Sequence, residues 1–294
     1  MPPLPSDAEP RPPEDFALLL ATKEPVLLVG GQAVNLWAMY YETRTAALAP
    51  FVSRNVDVLG DRETLEALGK LAGTKPQFFP VKPPTNEIGV VIAKDHNGLP
   101  LLIEVLRYVH GVSNEELREP VYTLAVGETH VQVPGPIALL QAKIANVADI
   151  AQTGRQDARH VAILAQILPA YLEDLQRSAI EGRMEERTLI EFLERLLAVV
   201  TAKKARRVFK ELQLDARTLF AGLGHEKLSK LRAFVEKRLP RQLSYPPKHT
   251  GYHRAAKPKG RAKVVISAVR SSRRPCAAGF FAACPNCNGP SPTS

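Results

Sequence analysis

Three polar side chains stand out because each interrupts an otherwise apolar run. Asn55 and Asp57 lie two residues apart in SRNVDVLG, and Glu104 lies inside LLIEVL. In a strand, residues two apart project from the same side. Asn55 and Asp57 therefore share a face, while Val56 and Val58 turn to the core. Glu104, flanked by Ile103 and Val105, projects in the same manner. If the two strands are neighbours, the three side chains converge. Three oxygen donors around one point suit Mg²⁺, which combines carboxylates with phosphates and water. Phosphoryl or nucleotidyl transfer is the chemistry that uses such a centre, because the cation offsets developing charge and aligns attacker with leaving group. Gly30 and Gly31 follow the apolar run PVLLV and precede a helical pattern. Backbone there can approach a phosphate at the helix N-terminus.

The elements that must carry these residues are legible. Val26 to Val29 reads as a strand, followed by a helix with Val34, Trp37, Ala38 and Tyr41 on one apolar stripe. A short helix is expected over Asp15 to Lys23, a loop over 43–52 and a second strand over Asn55 to Leu59. RETLEALGKLAG reads as an amphipathic helix ending near Gly73. EIGVVIA and LPLLIEVLRYV form strands around an Asn97-Gly98 hairpin signal, and Tyr122 to Val126 with Thr129 to Val133 form another hairpin. Beyond Pro134 and Pro136 the pattern is helical to about Pro240. The expected architecture is α/β (α+β): a small mixed-sheet domain over 14–133, a helical domain over 134–243, and a disordered basic tail over 244–294. The first dozen residues read as a loose leader.

Nine of the 39 Lys and Arg lie beyond Pro246, where no Asp or Glu occurs, so residues 1–245 carry 30 of each sign. The net charge of +9 thus belongs to the tail and is not by itself an argument for nucleic-acid binding. No apolar run approaches a membrane span, and MPPLPSDAEPRPPEDF lacks the features of a secretory signal. A cytoplasmic protein is the expectation. The three Cys all fall in the last twenty residues, so no disulfide framework is expected. Cys284 and Cys287 have the spacing of half a zinc site with Cys276 as a third candidate, but a structural site generally needs two close pairs.

Taken together, VGGQAV at 29–34, SRNVDVL at 53–59 and IEVL at 103–106 resemble the three motifs of the nucleotidyltransferase superfamily (polymerase-beta-like). The similarity is strongest to the nucleotidyltransferase-like toxins of abortive-infection toxin–antitoxin systems. It covers about residues 25–170. The segment PIALLQAKIANVADIAQTGRQDARHVAIL also resembles the family's following helices, with Lys143, Arg155 and Asp157 at recurring positions. The resemblance implies an NTP substrate, with Gly30, Gly31, Ser53 and Lys143 at its phosphates. It implies Mg²⁺, weakly held or substrate-dependent, at Asn55, Asp57 and Glu104, with Glu104 as the general base. It also implies an RNA or protein hydroxyl as acceptor and an antitoxin as partner.

Two positions depart from the family pattern. Asn55 stands where the first metal Asp is expected, and it brings an oxygen without a charge. His160 stands near a position that is often acidic. The Asn favours a second reading, a catalytically impaired relative that serves as a nucleotide-binding or protein-interaction module. A third reading is nucleic-acid binding through the basic residues of 203–274. Each motif also has a plainer explanation: Gly30-Gly31 as a tight turn, Glu104 as an edge-strand charge, and Lys143 and Arg155 as helix-surface residues. His160 fits a semi-buried, hydrogen-bonded residue on an apolar helix face, and His110 has no evident partner in the sequence.

Overall fold

The computed structural model describes residues 9–243, apart from 24, 81–84, 96, 127 and 225. The basic tail and its Cys-Pro-Asn-Cys segment lie outside the described residues. Chain order is α1 (Ala17–Leu20), β1 (Leu27–Val29), α2 (Gly30–Tyr40), α3 (Glu42–Thr45), β2 (Asn55–Leu59), α4 (Arg62–Leu71) and β3 (Gln77–Phe78). Then come β4 (Glu87–Lys94), β5 (Pro100–Leu106), α5 (Asn114–Arg118), β6 (Val121–Val126) and β7 (Thr129–Pro134). Helices α6 (Pro136–Asp149), α7 (Asp157–Ile180), α8 (Glu186–Thr201), α9 (Lys203–Glu211), α10 (Ser229–Ala233) and α11 (Leu239–Leu243) complete the described chain. None of its helices is long and apolar enough to cross a membrane.

The fold is mixed α/β, with seven strands in one sheet of order β3-β4-β5-β2-β1-β7-β6. The β1–β2, β3–β4, β4–β5 and β6–β7 pairs are antiparallel, whereas β2–β5 and β1–β7 are parallel. The sheet is one strand wider than the expected six because Gln77–Phe78 joins the outer edge of β4. Two residues are too few to show an alternating pattern, so this edge left no trace in the sequence.

Local chemistry explains most boundaries. Asp61 and Thr64 close a capping box at the start of α4, with Thr64 N–H donating to Asp61 Oδ1 at 2.9 Å. Leu65 and Leu68 then face the core, and Gly73 leaves the helix with φ 64°. Ser113 and Glu116 cap α5 in the same way. The stretch 43–52 differs from the expected loop. It holds α3 and a 3-10 turn over Ala46–Leu48, tied to α2 by Thr45 Oγ1 donating to Ala38 O at 2.6 Å. The expected Asp15 to Lys23 helix is a 3-10 turn over Pro13–Phe16 that runs into α1. The leader is not wholly loose either: Arg11 and Ser53 exchange backbone hydrogen bonds at 2.8 and 2.9 Å.

Helix α2 is enclosed rather than one-sided, since every residue from Gly31 through Ala38 is buried. It packs on β2 and also against α6 and α7, so the sheet covers one side and helices the other. Trp37 marks the join, with its indole N–H donating to Pro134 O at 2.9 Å and its ring stacked on Tyr41 and edge-on to Tyr122 and Tyr171. One apolar cluster runs from Leu28 and Val56 in the sheet through Leu164 on α7 to Leu193 on α8. The opposite sheet face carries a smaller cluster that includes Val29, Leu59, Leu106 and Ala142. Asp57 and Glu104 sit on this smaller face.

Candidate functional site

Parallel pairing of β2 with β5 sets Asp57 directly beside Glu104, and antiparallel pairing with β1 sets Asp57 beside Val29. Glu104 is therefore in the interior of the sheet, between β4 and β2, and not on an edge strand. The alternation expected for β2 holds, with Val56 and Val58 buried and Asn55 and Asp57 partly buried. These two side chains and Glu104 line one cleft of about 390 Å³, together with Gly30, Gly31, Ser53, Lys143 and Arg155.

Gly30 is required here twice over. Its φ is 69°, in the left-handed region, and an added Cβ would come 1.8 Å from Asp57 Oδ2. The turn from β1 into α2 thus lies directly against the Asp57 carboxyl. A Cβ on Gly31 would meet Ser53 Oγ and His160 Cε1, each at 3.0 Å. Val29 offers no side-chain cap to α2, whose first N–H groups must find other partners.

Asn55 joins the two carboxyls through its nitrogen. Its Nδ2 donates to Asp57 Oδ1 at 2.9 Å and to Glu104 Oε2 at 2.9 Å. In this orientation the amide takes the place between the carboxylates that a cation would share, and its oxygen points elsewhere. Burial pushes the Asp57 carboxyl up, against the opposing pull of the Lys143 ammonium. Burial, with the charges of Asp57 and Glu87 behind it, pushes Glu104 up to about 8. Burial and the proximity of the two carboxyls thus disfavour their ionising together.

Lys143 is not a surface residue. It is 6% exposed, and its Nζ donates to Asp157 Oδ1 at 2.8 Å; Asp157 is itself 3% exposed. Arg155 Nε donates to Asp157 Oδ2 at 2.7 Å, and Asn146 adds a bond at 3.2 Å. Burial would raise the Asp157 carboxyl, but the Lys143 charge and these hydrogen bonds hold it at about 2. The ammonium of Lys143 is therefore already paired, and Arg155, paired with the same carboxylate, is the more exposed of the two cations.

His160 departs from the expected hydrogen-bonded residue. It is 4% exposed, lines the cleft, and neither ring nitrogen has a hydrogen-bond partner among the described residues. Burial, reinforced by the Lys143 charge, holds its pKa down at about 3, so the ring is neutral. His110 does have a partner: its Nε2 lies 2.9 Å from Asp149 Oδ2, and it too lines the cleft. Glu87, at the irregular start of β4, was not singled out from the sequence. As the first residue of an apolar run it carries no distinguishing signal.

No three His, Cys, Asp or Glu side chains among the described residues form a group that could hold a metal ion. Asp57 and Glu104 fit a hard cation as a two-carboxylate partial site, completed by ligand phosphates and water. Burial first, and the neighbouring Asp57 charge second, raise Glu104, and a cation would favour the ionised form against both.

No protein-family model and no curated sequence matches this chain. Among solved structures, it is similar to the crystal structure of an antigenic nucleotidyltransferase-like protein from Paracoccidioides brasiliensis. The identity is 15% over 55% of this chain and 78% of that chain, with a TM-score of 0.35.

Proposed function

We propose that this chain binds a nucleoside triphosphate in the cleft and transfers its nucleotidyl group to an acceptor hydroxyl. The observation that carries this reading is the Asp57–Glu104 pair, in register on adjacent strands beneath the Gly30–Gly31 turn. Carboxylates beside uncapped helix N–H groups suit a triphosphate that brings its own cation. Asp57 and Glu104 would hold Mg²⁺, which supplies charge neutralisation at the phosphates. Gly30, Gly31 and Ser53 would orient the phosphate chain, and Arg155 with the Lys143–Asp157 pair would set a positive wall. The acceptor oxygen attacks the α-phosphorus, the bond to pyrophosphate breaks, and the hydroxyl proton passes to ionised Glu104.

For the acceptor, RNA is favoured over a protein side chain by α9. Lys203, Lys204, Arg206, Arg207 and Lys210 are exposed, opposite the buried Ala205, Val208 and Phe209. Arg207 donates to Ala148 O and Lys204 to Asp149, which joins this face to the end of α6 beside the cleft. RNA binding that weakens steeply with salt, and is lost in a Lys203/Arg206/Lys210 triple Ala variant, would support this choice.

The second reading, a nucleotide-binding or protein-interaction module without transfer, is favoured by the Asn55 amide between the carboxyls. Mg²⁺-dependent transfer from labelled ATP, CTP, GTP and UTP to RNA and to protein decides between them. Label transfer by the wild type, abolished by Asp57→Ala, supports the enzyme. Transfer only by Asn55→Asp supports the impaired relative, and nucleotide binding without transfer in either protein supports the module. A toxin role with a partner antitoxin is part of the first reading, tested by growth arrest on expression that Asp57→Ala relieves.

A further inference from the structure

We propose that His160 is a ligand-contacting residue, whose ring N–H donates to a phosphate oxygen seated at the start of α2. The inference rests on reading the cleft as a polyphosphate site and assigns that site one more donor. An imidazole that is 4% exposed with both nitrogens unpartnered among the described residues is an exception to the satisfaction of buried polar groups. The exception is aimed at one place. The ring edge abuts the β1–α2 turn, where a Cβ on Gly31 would lie 3.0 Å from Cε1 and 3.5 Å from Nε2. Ser53 Oγ lies at the same 3.0 Å from that point, so hydroxyl and imidazole both pack against the start of α2.

The ligand that fits is anionic. Helix α2 has 11 residues and no side-chain cap at its first turn, so its N–H groups and dipole favour negative charge. The charges acting on the ring are Lys143, Arg159 and Arg155 against Asp157, a positive balance. A neutral imidazole still carries one N–H, and Nε2 is the nitrogen nearer the turn. The same ring in a purely structural role would contribute packing alone, and an apolar side chain of similar size would replace it without effect on any ligand.

The test uses the full chain with two probes, inorganic tripolyphosphate and a non-hydrolysable ATP analogue with Mg²⁺, measured by calorimetry. The wild type should bind both. His160→Leu should bind them about tenfold or more weakly, the scale of a hydrogen bond to a charged group. Its unliganded Tm should not fall, since no hydrogen bond is lost. His160→Gln, which keeps a donor, should recover part of the affinity. In the wild type, the imidazole ¹⁵N resonance that His160→Gln deletes should shift on saturation with tripolyphosphate. Equal affinities for wild type and His160→Leu, or an unmoved resonance on saturation, would overturn the role of His160 and leave the polyphosphate reading standing. Absence of binding by the wild type would overturn both.

Discussion

Replacement of Asn55 by Asp should convert a self-neutralised carboxylate cluster into one that depends on a cation. Asn55 Nδ2 donates at 2.9 Å to Asp57 and at 2.9 Å to Glu104, and the substitution removes both bonds. Each hydrogen bond contributes about 1.5 kcal/mol, the value at which the ranges for neutral and charged partners meet. Two lost bonds therefore cost about 3 kcal/mol, and crowding of a third carboxyl adds about 1 kcal/mol, limited because the new group can take up a proton. A destabilisation of about 4 kcal/mol lowers Tm by about 10 °C in a domain of this size. The assay is thermal unfolding of wild type and Asn55→Asp in chelator and in rising Mg²⁺ or Mn²⁺. At a cation concentration about a hundred times Kd, the variant should regain about 2.7 kcal/mol. The wild type, with an amide between its carboxyls, should respond little to the ion alone. An Asn55→Asp protein as stable as wild type in chelator and indifferent to cation would refute the reasoning, because Asn55, Asp57 and Glu104 could not then be converging as described.

Gly30→Ala should be severely destabilising and should abolish nucleotide binding, since its Cβ would meet Asp57 Oδ2 at 1.8 Å from a left-handed backbone. Urea unfolding that places it within about 1 kcal/mol of wild type would contradict the close approach of that turn to β2. Lys143→Met should cost about 3 kcal/mol, as expected when a buried carboxylate loses its charge partner, with Arg155 and Asn146 left to retain part of the site. Asp157 is held at about 2 against an ordinary 3.8, so its stabilisation is complete above 3.8 and fades as pH falls toward 2. In Lys143→Met the folded value rises back toward 3.8, so this acid-dependent loss should shrink, which an unfolding series against pH would detect. His160 carries the other pH signature: with its pKa lowered from 6.5 to about 3, the unfolded chain binds the extra proton in that window. Wild-type stability should be full above 6.5 and decline as pH falls toward 3, by a few kcal/mol at roughly 1.4 per unit, while His160→Gln should give a flatter profile. Parallel profiles for the two proteins would show that the ring is hydrated rather than buried.

The sequence by itself determined the features that depend on near neighbours. Alternation in NVDVL placed Asn55 and Asp57 on one face, the amphipathic pattern of RETLEALGKLAG marked α4, and Asn97-Gly98 turned β4 into β5. The Gly30-Gly31 pair was visible as a turn, although the collision that forbids a side chain at Gly30 was not. What tertiary structure alone decided is everything that depends on register and enclosure. Pairing of β2 with β5 put Glu104 beside Asp57; a slip of one residue would have turned it to the other face. Packing of α6 against α7 buried Lys143 against Asp157, where the sequence allowed a surface lysine. The same enclosure isolated both nitrogens of His160 and raised Glu104, because desolvation is set by the atoms that surround a group and not by its neighbours in the chain. The identity of Asn55 was plain from the start, but only the fold shows that its nitrogen faces the carboxyls. Two acceptors so close together require a donor or a cation between them, and in this protein the amide supplies the donor.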